Sequence, residues 1–386
     1  MNQEFNCPVY KKCGGCQLDV TYSQQLSYKR RIVRELLGRF GPIEAIAGMK
    51  PPLHYRCKVN TAFGYSRGQV LTGVWQSSSG KLVRVENCAL EDERATPIIR
   101  AIRTLLPTFH LRTYDERNGH GFLRFVTIRI GKQTGEILVA FGTGAEKAPR
   151  LKEVVGALVR SCPEITTVVQ CVSIDRLNLL LGKKETVLYG PGYITDTLCG
   201  KSFRISARSF FQVNPVQTEL LYQTAVDFAA LTGGETVIDA YCGVGTIGII
   251  AAEKASGVLA VELNGDAVQN ATENVKLNGL KNVRVIQEDA GAFMEDMAEE
   301  GGSADVVFTD PPRAGCSRQF LSSLVQLGPK KIVYISCNPE TQSRDLQYLT
   351  KHGYKVERIK PVDMFPYTRH IETVVLLTRQ KAGAGK

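Results

Sequence analysis

The chain has 386 residues, of which 43% are hydrophobic, so it can bury a sizeable core and suits two or three domains better than one. No apolar run is long enough to cross a bilayer and residues 1–10 lack a signal-peptide pattern, so we expect a cytoplasmic protein that does not bind membranes. The net charge of +10 lies in the first half: residues 1–200 have 28 Lys and Arg against 17 Asp and Glu, whereas residues 201–386 have 20 against 21. A basic half indicates contact with a polyanion such as a nucleic acid, although a solvated basic surface has the same composition.

Four of the eleven cysteines form a ligand-like pattern, C-x5-C-x2-C followed by a distant fourth. They are Cys7, Cys13, Cys16 and Cys88, and Cys57 could replace one of them. An odd cysteine count without an export signal argues against disulfides and favours a metal site or thiol chemistry. Four thiolates can hold zinc or an iron–sulfur cluster; the spacing does not distinguish the two, and zinc is the default.

Residues 23–40 predict a basic amphipathic helix. Its apolar positions fall on one face, at Leu26, Ile32, Val33, Leu36, Leu37 and Phe40. Its basic side chains could contact phosphate or face solvent; they are Lys29, Arg30, Arg31 and Arg34. Residues 61–200 then contain strand-like runs with glycine-containing turns and some helical interruption, which is typical of an α+β domain.

From Thr236 onward, short runs rich in Val and Ile alternate with helix-compatible stretches. The five runs are 236–242, 257–263, 283–289, 304–310 and 331–337. Strands that each lead into a helix predict an α/β fold, with a doubly wound parallel sheet covered on both faces. The last two runs, 354–365 and 371–379, have no helix between them and predict an antiparallel pair at the sheet edge.

The first of these strands leads into a glycine-rich turn, from Asp239 to Gly248, that contains Gly243 and Gly245. Glycines let the backbone turn tightly and approach a ligand at the start of a helix. Glu262 ends the next strand, 19 residues after Gly243, where a carboxylate can accept hydrogen bonds from ribose hydroxyls. A nucleoside-containing cofactor is therefore expected, and the glycines are compatible with both NAD and S-adenosylmethionine.

The other strand ends place reactive side chains at the same crevice, because ligands of an open α/β sheet bind at the carboxyl ends of its strands. Asp289 ends the third strand, where it could face an adenine amino group, and Asp310 ends the fourth. Cys337 ends the fifth, directly before a helix whose N-terminus would lower the thiol pKa; this favours a nucleophile over an inert buried cysteine. Glu372 begins the last strand and is a candidate general base.

Five linked motifs resemble those of the RNA 5-methyluridine methyltransferase family. They are FFQVN at 210–214, DAYCG at 239–243, DPPR at 310–313, SCNP at 336–339 and HIE at 370–372. The resemblance runs from about residue 7 to residue 378. It implies a Rossmann-like methyltransferase domain at 201–386, preceded by the cysteine segment and basic helix at 1–60 and an α+β RNA-binding domain at 61–200. It also implies the residues that contact S-adenosylmethionine: Gln212, Tyr241, Gly243, Thr246, Glu262, Asp289 and Asp310.

The same resemblance implies the chemistry. Cys337 would attack uracil C6, which gives C5 the carbanion character that it needs to accept a methyl group, and Glu372 would remove the C5 proton. The target base has to leave its stack to enter such a pocket, where Phe210 or Phe211 could stack on it. Family members with the cysteine pattern bind a [4Fe-4S] cluster, which reverses the zinc default for Cys7, Cys13, Cys16 and Cys88.

The branch of the family that carries the cluster modifies 23S ribosomal RNA, whereas the tRNA-modifying branch generally lacks the cluster. The resemblance therefore implies ribosomal RNA as the partner. No obligate protein partner is expected. Many relatives begin with a small β-barrel RNA-binding domain, which we expect to be absent because Cys7 lies almost at the N-terminus. A tRNA uracil-C5 methyltransferase is the nearest competing function. An amino-group methyltransferase, a nicotinamide-dependent iron–sulfur oxidoreductase and a non-catalytic RNA-binding protein also stay open.

Overall fold

The computed structural model describes residues 7–76, 79–115, 118–148, 150–172, 181–182 and 184–380. Its N-terminal segment contains α1 (Tyr10–Cys13) and α2 (Tyr22–Leu37). A capping box opens α2: the Thr21 hydroxyl accepts from the Gln24 amide, and the Gln24 side chain accepts from the Thr21 amide.

A first seven-stranded sheet forms the central part of the chain. Its elements are β1 (Lys58–Ser66), β2 (Gln69–Trp75), β3 (Leu82–Arg84), α3 (Ala95–Thr108), β4 (Leu123–Ile130), β5 (Ile137–Thr143), α4 (Leu151–Ser161), β6 (Ile165–Val172) and β7 (Glu185–Tyr189). The strand order is β3-β2-β1-β4-β5-β6-β7, and all neighbours are antiparallel except β5 and β6. The central strands β4 and β5 are buried at every position, because α3 and α4 cover one face of the sheet and the hairpin formed by the next two strands of the chain covers the other.

That hairpin leads into the second seven-stranded sheet. The elements are β8 (Tyr193–Leu198), β9 (Lys201–Ser206), α5 (Pro215–Ala229), β10 (Thr236–Ala240), α6 (Thr246–Ala251), β11 (Gly257–Glu262), α7 (Gly265–Leu277), β12 (Val283–Gln287), α8 (Ala290–Glu299), β13 (Val306–Thr309), α9 (Arg318–Leu327), β14 (Lys331–Ser336), α10 (Pro339–Lys351), β15 (Tyr354–Val362) and β16 (Glu372–Arg379). The strand order is β12-β11-β10-β13-β14-β16-β15.

The strands β10 to β14 are parallel, and β16 runs antiparallel to both of its neighbours. Alternate side chains of β13 enter opposite cores: Val306 and Phe308 pack on one face of the sheet, and Val307 packs on the other. Apolar residues on both sides of a strand require cover on both faces, which the flanking helices supply. The predicted doubly wound sheet with an antiparallel edge is confirmed.

The N-terminal helix α2 packs on this second sheet rather than on the central one. Val33 and Leu37 are fully buried in the same core as Ile332 and Leu346. The prediction that Lys29 could contact phosphate is wrong, because its side chain is fully buried, where it forms an ion pair with Asp363 of the β15–β16 loop.

The boundary expected at residue 60 falls inside β1, and that at 200 falls in the turn between β8 and β9. The division of the chain into these three parts stays a prediction. Across the described ranges, no helix combines the length and the apolar character that crossing a bilayer demands.

Candidate active site

The glycine-rich turn joins β10 to α6 and needs a left-handed backbone at two glycines. Gly243 has φ 57° and Gly245 has φ 83°, conformations that residues with a Cβ rarely adopt. Glu262, at the end of β11, fastens this turn to the next strand: it accepts from the Gly243 amide at 3.0 Å and from the Asn264 amide at 2.8 Å. The carboxylate is thereby fixed beside the turn with lone pairs still available to a ligand.

Two further carboxylates hold helix N-termini around the crevice. Asp239 is fully buried and accepts from the Gly248 amide at 2.7 Å, while burial and the charges of Asp310 and Glu262 raise its pKa to about 7. Asp289 caps α8 through Oδ1, which accepts from the amides of residues 291 and 292 at 2.9 and 3.1 Å.

A cavity of about 920 Å³ opens at the carboxyl ends of β10, β11 and β13. It is lined by every residue expected to contact the cofactor: Gln212, Tyr241, Gly243, Thr246, Glu262, Asp289 and Asp310. Its wall also contains Phe210, which is 71% exposed, whereas Phe211 is buried and packs on Phe203 with ring centroids 6.0 Å apart. The structure therefore brings together side chains that are up to 98 residues apart in the sequence.

Tyr222 was missed by sequence reasoning. It lies on α5, is 3% exposed, and lines the cavity. Burial raises the pKa of its hydroxyl, and the side chains of Thr246 and Gln212, two of the expected cofactor residues, partly oppose this effect. A tyrosine among the apolar residues of a helix looks like core packing, and only its position ten residues after Gln212 could have drawn attention to it.

Cys337 follows β14 directly and is half-buried. The next residue, Asn338, caps α10 by accepting from the Glu340 amide at 3.1 Å, and its side-chain amide donates to the Arg313 carbonyl at 3.2 Å. The β14–α10 turn and the DPPR loop are thus joined beside the thiol.

The electrostatic environment of Cys337 differs from the expectation. Its pKa is raised to about 11, first by burial and then by the charges of Glu372 and Asp310, with only partial compensation by Arg313. The predicted lowering by the helix N-terminus is wrong because desolvation and two carboxylates outweigh it. Both carboxyl groups and the guanidinium therefore lie close enough to the thiol to change its pKa.

Glu372 is a buried carboxyl group with a strongly raised pKa. It begins β16 and is 4% exposed; burial, and then the charge of Asp310, raise its pKa well above the ordinary value. Burial of the carboxyl group raises the pKa of Asp310 to about 7. The neighbouring His370 has a pKa lowered by burial and by the charge of Arg313, so it is neutral at physiological pH.

The predicted cysteine ligands also lie together. Cys7, Cys16 and Cys88 pack against one small core, and the pKa of Cys16 is raised to about 12 by burial and then by the charges of Cys88, Cys13 and Cys7. Among the described residues, however, no group of three or more His, Cys, Asp or Glu side chains has the arrangement of a metal site. Cys57 does not replace one of them, since its thiol donates to the Gln212 carbonyl at 3.6 Å.

Comparison with known proteins decides the family. A model of the tRNA (uracil-5-)-methyltransferase family matches residues 180–380. The chain belongs to the RNA uracil-C5 methyltransferase family.

Two RNA methyltransferases are similar to this chain over nearly its whole length. One from Halalkalibacterium halodurans is 42% identical over 380 residues, 97% of this chain and 83% of the relative. One from Bacillus cereus is 39% identical over 383 residues, 98% of this chain and 83% of the relative.

The methyltransferase also resembles the crystal structure of Pyrococcus abyssi tRNA (uracil-54, C5)-methyltransferase in complex with S-adenosyl-L-homocysteine. The TM-score is 0.78 at 26% sequence identity, and the match covers 93% of this chain and 84% of that one. This chain is therefore an S-adenosylmethionine-dependent RNA methyltransferase, and the resemblance found in its sequence motifs is confirmed at the level of the family.

Proposed function

We propose that this methyltransferase transfers the methyl group of S-adenosylmethionine to C5 of a uridine in ribosomal RNA, through a covalent bond between Cys337 and uracil C6. The observation that carries the proposal is the convergence of three groups: beyond the effect of burial, the charges of Glu372 and Asp310 raise the pKa of Cys337, and Asp310, which lines the cavity, also raises the pKa of Glu372. A nucleophile and a base are both needed, because uracil C5 does not attack a methyl donor unaided.

The order of bond changes follows from these groups. The Cys337 thiolate adds to C6, and the electron pair released at C5 takes the methyl group from the sulfonium of S-adenosylmethionine. Glu372, as a carboxylate, then removes the C5 proton, and the C–H electrons re-form the C5–C6 double bond as the Cys337 sulfur leaves. Burial makes Glu372 a strong base once it is ionised, because its charged form is poorly solvated.

The raised pKa of Cys337 indicates how the two substrates cooperate. In the free protein the carboxylates of Glu372 and Asp310 disfavour the thiolate. A cation bound in the cavity next to Asp310 would offset this negative charge and lower the thiol pKa, and the sulfonium of the methyl donor is such a cation. Cys337 would thereby be activated only when a methyl group is available.

The cofactor contacts are assigned to the residues that line the cavity. Glu262 would accept hydrogen bonds from the ribose hydroxyls, and Asp289, whose Oδ1 caps α8, has Oδ2 for the adenine amino group. Gln212 and Thr246 would contact the cofactor beside Tyr222, which lines the same cavity. The exposed ring of Phe210 would stack on the extruded base.

The four cysteines would hold a [4Fe-4S] cluster. Their chemistry fits this group, because all four donors are thiols and, after burial, the charges of Cys88, Cys13 and Cys7 raise the pKa of Cys16. The cluster would have a structural role, since methyl transfer consumes no electrons.

Transfer RNA is the second candidate substrate, because the similar Pyrococcus abyssi enzyme acts on uracil 54 of tRNA. The cysteine pattern favours ribosomal RNA instead. The basic first half of the chain, including the central sheet, would bind either RNA. Mapping 5-methyluridine in both RNA classes, from cells with and without the gene, separates the candidates: the modification lost with the gene identifies the substrate.

The covalent step is tested with Glu372→Gln in the presence of S-adenosylmethionine and substrate RNA. The variant should trap a denaturation-resistant protein–RNA adduct, because the C5 proton stays in place and the sulfur cannot leave. Cys337→Ala should form no adduct and no product, whereas Cys162→Ala, which removes a buried thiol at the end of α4, should behave like the native enzyme. Methylation by Cys337→Ala would exclude the covalent route.

A further inference from the structure

The loop from residue 363 to residue 371 ends directly at Glu372, and Lys29 of the N-terminal helix holds it. We propose that Lys29 is a positioning residue, which fixes this loop so that Glu372 can reach the C5 proton. The inference rests on the proposed function, in which Glu372 is the base. It assigns to the N-terminal segment a part in the second half of the reaction, release of the methylated RNA.

The connection from Lys29 to Glu372 is short. The Lys29 ammonium forms an ion pair with the Asp363 carboxylate and donates to the Phe365 carbonyl oxygen at 3.0 Å. Asp363 immediately follows Val362, and Val362 is the strand partner of Glu372 in the β15–β16 pair. A shift of Asp363 would therefore move Val362 and, through the strand pairing, Glu372.

Lys29 acts with two other polar residues of α2. Tyr22, Gln25 and Lys29 have the spacings of three and four residues that place side chains on one face of a helix. The Tyr22 hydroxyl donates to Asp363 Oδ2 at 2.8 Å, and the Gln25 side-chain oxygen accepts from the Tyr367 amide at 2.8 Å. This face of α2 therefore hydrogen-bonds with the loop on both sides of Pro366.

The polar character of the contact argues against simple packing. Lys29 and Gln25 are both 0% exposed, and a helix face that only filled a core would carry apolar residues there. A buried lysine is retained at a desolvation penalty, and apolar residues of similar volume often stabilise a fold equally well. Directional bonds to one carboxylate and one carbonyl fix the loop more narrowly than apolar contacts do.

Further bonds to the loop come from the same part of the chain. The Tyr367 carbonyl accepts from the amides of Gln17 and Leu18, and the Pro366 carbonyl accepts from the Tyr55 hydroxyl at 3.0 Å. These partners all precede the methyltransferase sheet in the sequence. The loop is thus held from the N-terminal part of the chain and also from the start of α5, where the Asn214 and Gln217 side chains donate to the Met364 and Asp363 carbonyls.

The test separates the two halves of the reaction in single turnovers with S-adenosylmethionine and RNA. Lys29→Met should form the methylated adduct within about threefold of the native rate, whereas decay of the adduct to free product should slow by about tenfold or more. Lys330→Met is the matched control: it removes an exposed lysine that also pairs with an aspartate, Asp305, at the opposite end of the sheet, and it should change neither rate.

Tyr22→Phe keeps the ion pair but removes the hydroxyl bond to Asp363, so it remains informative if Lys29→Met does not fold. It should slow the same decay step by about two- to fivefold. Native decay rates in every folded variant, even with a lowered Tm, would overturn the positioning role. Glu372→Gln is run in parallel to test the proposed base. If this variant traps an adduct while the Lys29 and Tyr22 variants release theirs at the native rate, only the positioning role is refuted. If Glu372→Gln traps no adduct, the role of Glu372 as the base is refuted as well.

Discussion

Asp310 lies close enough to Glu372 for its charge to raise the pKa of that buried glutamate. Asp310 directly follows β13 and Glu372 begins β16, and β14 separates these two strands in the sheet. Both have pKa values raised by burial, so the site holds them towards their neutral forms. Such an arrangement opposes stability at higher pH and supplies a strong base for the reaction.

The first prediction concerns this cost in stability. The pKa of Asp310 is raised from 3.8 to about 7, so its effect on stability is least unfavourable below pH 3.8 and becomes fully unfavourable as the pH rises through 7. Asp310→Asn should therefore raise the Tm, and by more at pH 8.5 than at pH 5.5. The gain in the free energy of unfolding should not exceed about 4 kcal/mol. Thermal unfolding of the ligand-free protein at the two pH values measures the difference.

Asp305→Asn is the control with the opposite sign. Lys330 lowers the pKa of Asp305, so this carboxylate stabilises the fold above its unfolded pKa, and its removal should lower the Tm slightly at both pH values. An Asp310→Asn variant with the same Tm as the native protein at pH 8.5 would contradict the assigned burial cost.

The second prediction concerns the charge that opposes the two carboxylates. Arg313 lowers the pKa of Cys337, so Arg313→Met should shift the thiol titration to higher pH, by less than about one unit because the guanidinium is exposed and screened. Alkylation of the Cys337 peptide, followed by mass spectrometry across a pH series, measures this without RNA. Arg318→Met, an exposed arginine on the following helix, should leave the titration unchanged.

The sequence predicted the strands and their ends well, because periodicity reports which residues are buried. Asp289, Asp310 and Cys337 all lie at the strand ends where the alternation of strands and helices placed them. The wrong prediction for the Cys337 pKa has a different origin. Its largest contributions come from burial and from Glu372, which lies 35 residues away and meets the thiol only when β16 pairs with β14.

Lys29 shows the same limit for the N-terminal segment. A lysine on a basic helix is usually solvated, and its burial depends on Asp363, 334 residues later in the chain. Tyr222 was overlooked because a tyrosine inside an apolar helix has no local signature of a binding site. Long-range pairing, rather than local pattern, thus determines which polar residues belong to the site.

The third prediction concerns Tyr222. Tyr222→Phe removes the polar interaction of the hydroxyl with the Thr246 and Gln212 side chains, and one hydrogen bond contributes about 0.5–1.5 kcal/mol. The Kd for S-adenosylmethionine should therefore rise roughly two- to tenfold, while the rate of adduct formation at saturating cofactor stays close to native. Calorimetric titration measures the Kd.

The matched control for that variant is Tyr354→Phe. Tyr354 is also buried, and its hydroxyl donates to the Pro329 carbonyl at 2.9 Å, away from the cavity. It should lose stability without a change in cofactor affinity. Equal losses of affinity in the two variants would show that Tyr222 acts only through general stability.

The last prediction concerns the four cysteines. Protein purified without oxygen should contain about four iron and four sulfide per chain, and Cys16→Ser should lose most of both. Because the Gln17 and Leu18 amides donate to the Tyr367 carbonyl, loss of the cluster should also loosen the loop that leads to Glu372, which hydrogen exchange at residues 363–371 would detect. Cys162→Ser, a buried cysteine outside the set, should keep its iron. One zinc per chain would exclude the iron–sulfur assignment, because a site made only of thiols accepts either metal and only the bound element distinguishes them. A native iron content in Cys16→Ser would also exclude the assignment to these cysteines.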